Sequence, residues 1–412
     1  MEKTVGLSDT KKESWLDKRC RSLVFSVLSK LDYGRLEIVE GEQHHVFPSA
    51  ALQQATDNPV TAKINILDTS TYRDFVRGGS IGAAESFIEG KWTSPDLTSV
   101  IRIFAKAQQQ TDALENQSSW YSKLKNKVFH WRNRNSQSGS KRNILAHYDL
   151  GNELYTRFLD PQMQYSSAIY PTEQASLEEA QDHKLKTICE RLALTSDDHL
   201  LEIGTGWGGL AIYAAKHYGC QVTTTTISDA QFEYATQKVE QEGLADKVNL
   251  LKKDYRELTG KYDKLVSIEM IEAVGYEYLP SFFQQCNDRL KEGGKLLIQS
   301  ITIADQRFDY YRNNVDFIQR YIFPGGFLPS ITALSQHMTD NTTLVMESLH
   351  DIGLDYAKTL ADWRKGFLAS WNELTSFGYD ERFKRLWLYY LAYCEGGFLE
   401  RSTSTVHLVA RK

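Results

Sequence analysis

The chain has 412 residues, of which 41% are hydrophobic and 25% charged, and a formal net charge of -5. That length accommodates two domains and a substantial core, and the acidic balance argues against a generally nucleic-acid-binding surface. Cys20, Cys189, Cys220, Cys286 and Cys394 are scattered, odd in number and without a CxxC pair, so neither a metal site nor a disulfide framework is expected, and a reducing cytosol is.

The first residues are polar and lack the apolar core of a secretion signal, and no uninterrupted apolar run is long enough to span a membrane. From Lys12 to Leu31, Trp15, Leu16, Cys20, Leu23, Val24, Val27, Leu28 and Leu31 recur at helical spacing, which predicts an amphipathic helix with its stripe on a core. Short strand-like runs follow, RLEIVE (35–40) and AKINILD (62–68), then TYRDFVRGG (71–79) and SIGAAESFIEGKW (80–92), with glycine pairs as punctuation. Together with the helical stretch LTSVIRIFAKA (97–107) they predict a small α+β domain over residues 1–107. Residues 108–142, poor in aliphatic side chains and rich in Gln, Asn and Ser, have the composition of an interdomain linker. Lys123, Lys125, Lys127, Arg132, Arg134, Lys141 and Arg142, interleaved with Trp120, Tyr121, Phe129 and Trp131, suit it to an anionic bilayer surface.

From Asn143 to the end the pattern is that of one further domain. Helical NILAHYDLGNELYTRFL and ASLEEAQDHKLKTICERLAL lead into the strand HLLEIG (199–204). Helix GGLAIYAAKHY, strand QVTTTTI, helix DAQFEYATQKVEQEG, strands KVNLLKKD and KLVSIEM, helix YLPSFFQQCNDRLK and strand KLLIQSI come next. This alternation predicts right-handed crossovers and a doubly wound, mostly parallel α/β sheet covered on both faces, with ligands at the carboxyl ends of its strands. Beyond Arg307 the chain reads as more helical, with STVHLVARK (404–412) as a strand returning to the sheet edge.

The stretch LLEIGTGWGGL (200–210) is written as a buried strand turning tightly into a helix. Glycines take the dihedrals of such a turn and keep Cβ atoms away from an approaching cofactor, while the helix start offers unpaired N–H groups. The spacing GxGxxG fits a dinucleotide as well as S-adenosylmethionine. The strand tips carry Glu202, then Thr225, Thr226 and Ser228 with Gln231 one turn on, Asp254 and Tyr255, Glu269 to Glu272, and Gln299 with Ser300. A dinucleotide fold presents a carboxylate at the second tip to hold ribose hydroxyls; four threonines there favour S-adenosylmethionine without closing the question.

Flanking motifs add to this: HYDLGN (147–152), MQYSSA (163–168) and SLEEAQDHK (176–184) upstream, and TISDAQ (226–231), DYREL (254–258), IEMIEAVG (268–275), YIFPGGFLPS (321–330) and DYAKTLADW (355–363) downstream. In this order and spacing the chain, from about Gly34 onward, resembles the cyclopropane fatty acid synthase family of S-adenosylmethionine-dependent methyltransferases. SIGAAESFIEGKWTSPDL in the small domain is similar to its bacterial phospholipid-modifying members. The resemblance implies a Rossmann-like class I methyltransferase domain over 143–412. Tyr165 and Ser166 would hold the amino acid end of the cofactor, Glu202, Gly204 and Gly206 its backbone-facing side, Thr226, Ser228 and Gln231 the ribose, and Asp254 with Tyr255 the adenine. It also implies a substrate, the cis double bond of unsaturated phospholipid acyl chains, met at the bilayer surface by a cytoplasmic protein associated peripherally with the inner face of the membrane.

In the family a cyclopropane ring forms through a carbocation, and the base that removes the final proton is thought to be bicarbonate, held by Cys, Glu, His, an Ile backbone group and Tyr. Glu272, Ile301 and Tyr356 match that set; Ser167 stands for the Cys, Gln299 for the His, and Ala273 for a second His. Serine and glutamine still hydrogen-bond a small anion, but an amide cannot acquire the positive charge of an imidazole. A close variant is therefore a methylene or methyl-branched product finished by a partner reductase. A small-amine N-methyltransferase and a lipid-binding scaffold with an inactive cofactor site are the other classes, and the oligomeric state is open, a homodimer included.

Overall fold

The structure, a computed structural model, describes residues 14–48, 59–115 and 151–412. It divides into two units, Met1–Ala107 with Glu381–Tyr389, and Gln108–Asp380 with Tyr390–Lys412. The basic aromatic stretch lies outside the described residues from Asn116 on, as do His147 to Leu150 of the first motif; its opening residues, up to Glu115, continue the helix Leu97–Glu115. Among the described residues no helix is long and apolar enough to cross a membrane, and no cluster of His, Cys, Asp or Glu could hold a metal ion.

In the first unit the helix Trp15–Leu28 starts at Ser14, whose hydroxyl accepts from the Asp17 N–H. Its apolar stripe is only partly core: Cys20 and Leu28 are buried, whereas Trp15, Leu23 and Val27 are 72%, 52% and 60% exposed. Strand β1 (Arg35–Glu40) pairs in parallel with β3 (Thr61–Ile66), and their alternate residues Leu36, Ile38, Ala62, Ile64 and Ile66 are buried. β2 (Gln43–Phe47) hairpins onto β1, and β4 (Trp92–Thr93) pairs antiparallel with β3 after an intervening helix; β2 was hidden in the sequence because QHHVF lacks apolar alternation. The runs 71–79 and 80–88 are not strands but one helix, Thr71–Ile88, bent at Gly79 with φ 55° and ψ -134°. The bend brings Gly82 so close to the Asp74 carbonyl that a Cβ there would lie 2.1 Å from its oxygen.

The second unit is built on seven strands: β5 (His199–Ile203), β6 (Gln221–Thr226), β7 (Val248–Lys252), β8 (Tyr262–Ile268), β9 (Leu290–Ile303), β10 (Val345–Asp351) and β11 (Thr403–Arg411). Their order is β10-β11-β9-β8-β5-β6-β7; β5 to β9 run parallel and β11 antiparallel to both its neighbours. The STVHLVARK strand is thus internal, and the edge on that side is β10, whose first five residues alternate exposed and partly buried. Successive residues serve opposite cores: Leu201, Leu265, Leu296 and Leu408 one, Leu200, Val266, Leu297 and Val409 the other, as expected of a sheet covered on both faces. β5 lies between β6 and β8, so the chain reverses direction across the sheet at its carboxyl end and opens a crevice there.

Candidate active site

The glycine turn sits at that crevice. Gly204, Gly206 and Gly208 have φ of 105°, 52° and 90°, and the N–H groups of Gly204 and Thr205 both donate to the Thr225 carbonyl, fixing the turn to the second strand. A Cβ on Gly206 would meet no described atom within 4 Å, so this backbone borders open space, as a cofactor cradle requires. Gly209 serves packing instead, since a Cβ there would lie 1.9 Å from the Gln164 amide nitrogen. Beside the turn, Thr226 Oγ1 donates to Gln231 Oε1, and Ser228 caps the helix Asp229–Gln241 by accepting from the Gln231 N–H. Asp254 accepts from the backbone N–H, Nε and Nη2 of Arg256, and Tyr255 packs edge-on to Phe282 at 5.7 Å.

Glu202 is turned into the fold rather than toward the crevice. Its Oε2 accepts from Thr224 Oγ1 at 2.6 Å, which lies 2.6 Å from Thr205 Oγ1. Burial pushes its carboxyl up to about 8. Tyr165 stacks on Trp363 at 5.2 Å, and its hydroxyl is 3.0 Å from that of Tyr390. Ser166 Oγ accepts from Lys184 Nζ, which also donates to Gln164. Lys184 is fully buried, and burial holds its ammonium down at about 8 against the opposing charges of Asp160, Glu269 and Glu202. Lys184 closes the motif SLEEAQDHK, and nothing in that local sequence marks it for this role.

At the centre stands Glu269, one residue past β8, named at a strand tip in the sequence but assigned no role. Its φ of 48° is one that only glycine adopts without cost. Its Oε1 accepts from the Ser167 N–H at 2.9 Å and from Gln299 Nε2 at 2.7 Å, and its Oε2 from the Tyr356 hydroxyl at 2.9 Å. Gln299 is itself fixed from behind. Arg191 donates to His407 Nδ1, so His407 Nε2 carries the proton and donates to Gln299 Oε1 at 2.8 Å, which turns the amide NH2 toward Glu269. His407 lies opposite Gln299 in the β11–β9 register, a pairing invisible before the strand order is known. Tyr356 stacks on Phe398 at 4.6 Å and meets Trp363 edge-on at 6.0 Å.

Glu272, three residues on, accepts through Oε1 from the Ile301 N–H at 2.6 Å and from Ser300 Oγ at 3.0 Å. Its Oε2 is buried and has no hydrogen-bond partner among the described residues. Burial first, and the neighbouring Glu269 second, push its carboxyl up to about 8. The five residues expected to hold bicarbonate are therefore together, but not around a vacant anion site. Ser167, Gln299 and Tyr356 direct their donors at Glu269, the Ile301 N–H is taken by Glu272, and the Ser167 hydroxyl donates to the Ala168 carbonyl. With two carboxyl groups and no spare donor, this set does not fit a separate bicarbonate.

Residues 135–408 match the family profile described as mycolic acid cyclopropane synthetase. The chain is 39% identical over 350 residues to the cyclopropane-fatty-acyl-phospholipid synthase of Escherichia coli, covering 84% of this chain and 87% of that one. It is 38% identical over 331 residues to the tuberculostearic acid methyltransferase of Mycobacterium tuberculosis, covering 78% and 76%. Among solved structures it is similar to a mycolic acid cyclopropane synthase complexed with S-adenosylhomocysteine (SAH) and CTAB, with 27% identity, a TM-score of 0.62, and coverage of 66% of this chain and 98% of that one.

Proposed function

The chain belongs to the mycolic acid cyclopropane synthetase family, and from that premise we propose that it methylates the cis double bond of unsaturated phospholipid acyl chains and closes a cyclopropane ring. It is an S-adenosylmethionine-dependent C-methyltransferase of the Rossmann-like class I fold. The observation that carries the lipid reading is the Glu269 carboxylate at the tip of β8, bound by Tyr356 beside the faces of Tyr165 and Trp363. A weakly nucleophilic alkene needs positioning and exclusion of water, and aromatic faces lower the energy of the cation that methylation leaves on the chain.

S-adenosylmethionine supplies an electrophilic methyl group when bound. Tyr165 and Ser166 would receive its amino acid end, the Gly204–Gly206 turn its middle, Thr226, Ser228 and Gln231 the ribose, and Asp254 with Tyr255 the adenine. Of these, Gly206 fits most directly, because its neighbourhood is open. Ser167, Gln299 and Tyr356 orient the acid–base centre, and Glu272 with Ile301 braces the adjoining strand tip. The protein would act on chains reached from the inner face of a bilayer, without nucleic acid. A second reading, a methylene or methyl-branched product completed by a reductase, draws on the nearly equal likeness to the tuberculostearic acid methyltransferase.

Incubation with methyl-labelled S-adenosylmethionine and unsaturated phospholipid vesicles tests both. Labelled acyl chains that resist hydrogenation support the ring; labelled chains that take up hydrogen support the methylene. Lipid without label would overturn the acyl-chain substrate.

A further inference from the structure

We propose that Glu269 is the built-in base of this enzyme, so that turnover requires no bicarbonate. The inference rests on the acyl-chain reading above and is carried by the geometry. A carboxylate occupies the point where the Ser167 N–H, the Gln299 amide and the Tyr356 hydroxyl converge. The chain tolerates a left-handed φ at a residue with a full side chain to place it there. A strained backbone position, a three-donor clamp and an orienting relay from Arg191 through His407 and Gln299 all serve one carboxyl group. Glu272, by contrast, leaves one oxygen without a partner. Glu269 accepts three hydrogen bonds spread over both oxygens and Glu272 two, both on Oε1, a difference that favours the negative charge of the pair on Glu269 and the proton on Glu272.

Neutral glutamine in place of a histidine then has a reason. An imidazolium beside Glu269 would neutralise the base, whereas an amide orients it and leaves its charge intact. In the step itself, a C–C bond forms to one alkene carbon as the methyl–sulfur bond breaks, leaving S-adenosylhomocysteine and a positive charge on the other alkene carbon. Glu269 takes a proton from the new methyl group, and the electron pair of that C–H bond closes the ring. The proton rests on Glu269 and is lost to water after product release.

The test measures label transfer to unsaturated phospholipid vesicles in carbon-dioxide-depleted buffer, with and without added bicarbonate. The wild-type rate is expected to be the same in both. E269Q should lose roughly 100-fold or more in turnover while binding S-adenosylmethionine by calorimetry as the wild type does. E269G suits the left-handed φ; it should be equally slow, and added formate or bicarbonate should restore it by refilling the space among the same three donors. Wild-type turnover that disappears without bicarbonate and returns with it would overturn the inference alone, as would E269Q at the wild-type rate. A cofactor-binding E269G that no small carboxylate rescues would reassign Glu269 to holding the strand tips together. No label in lipid under any condition would overturn the acyl-chain reading, and this inference with it.

Discussion

Glu202, Glu269, Glu272 and Lys184, all buried near the crevice, are displaced toward neutrality, and burial is the largest cause in each. For Glu202 the consequence reaches the stability of the fold. Its carboxyl titrates near 8 in the native protein and near 4.5 when unfolded. Between those values the native state holds a proton that the unfolded chain has released, so stability falls as pH rises through this window and is flat below it. Glu272 adds a slope of the same sign, while Lys184 titrates only above the window. Replacing Glu202 with Gln keeps an acceptor for Thr224 and removes one titrating group. Thermal melts should show E202Q matching the wild type near pH 4.5 and exceeding it by at least ~3 °C at pH 8. Equal melting temperatures at pH 8 would mean that Glu202 is ionised in the native state.

Glycines at two turns separate packing from cofactor space. In the helix Thr71–Ile88, Gly82 lies under the Asp74 carbonyl, a backbone atom that cannot swing aside, so G82A must open the bend at Gly79. Its expected cost is about 3 kcal/mol in denaturant melts, with S-adenosylmethionine affinity unchanged in the protein that remains folded. At the turn after β5, Gly206 has open space but a φ of 52°. G206A should cost only about 1 kcal/mol of stability, yet lower S-adenosylmethionine affinity by at least ~10-fold, because the new methyl group enters the volume the cofactor uses. If calorimetry gave G206A wild-type affinity, the cradle would lie elsewhere on the turn. The glycine pair 78–79 also shows why local punctuation misleads: it reads as a stop, but a glycine bends a helix as readily as it ends one.

For the whole molecule, the parallel strands and their tips were legible because each is a short apolar or β-branched run ending in polar residues between helical stretches, and the tips converge wherever such strands share a sheet. The pairing of β11 with β9 was not, since strand order depends on contacts more than a hundred residues apart; with it went His407, which acts only through that register. Glu269 was visible as a residue but not as a centre, because a left-handed φ and three converging donors leave no periodic trace. If the substrate is, as proposed, an acyl chain in an anionic bilayer, a chain of net charge -5 has to reach a surface of its own sign. Its overall field is repulsive, so attraction must come from a local run of bases within a Debye length of the surface. The stretch 120–142 has seven, each worth about 1 kcal/mol near such a surface. Replacing Lys123, Lys125 and Lys127 with Gln should reduce co-sedimentation with vesicles rich in anionic lipid by roughly 10-fold or more. Affinity for S-adenosylmethionine and methylation of detergent-dispersed phospholipid should not change. Unchanged co-sedimentation would assign membrane contact to another face, and the exposed Trp15, Leu23 and Val27 of the first helix would be next to substitute.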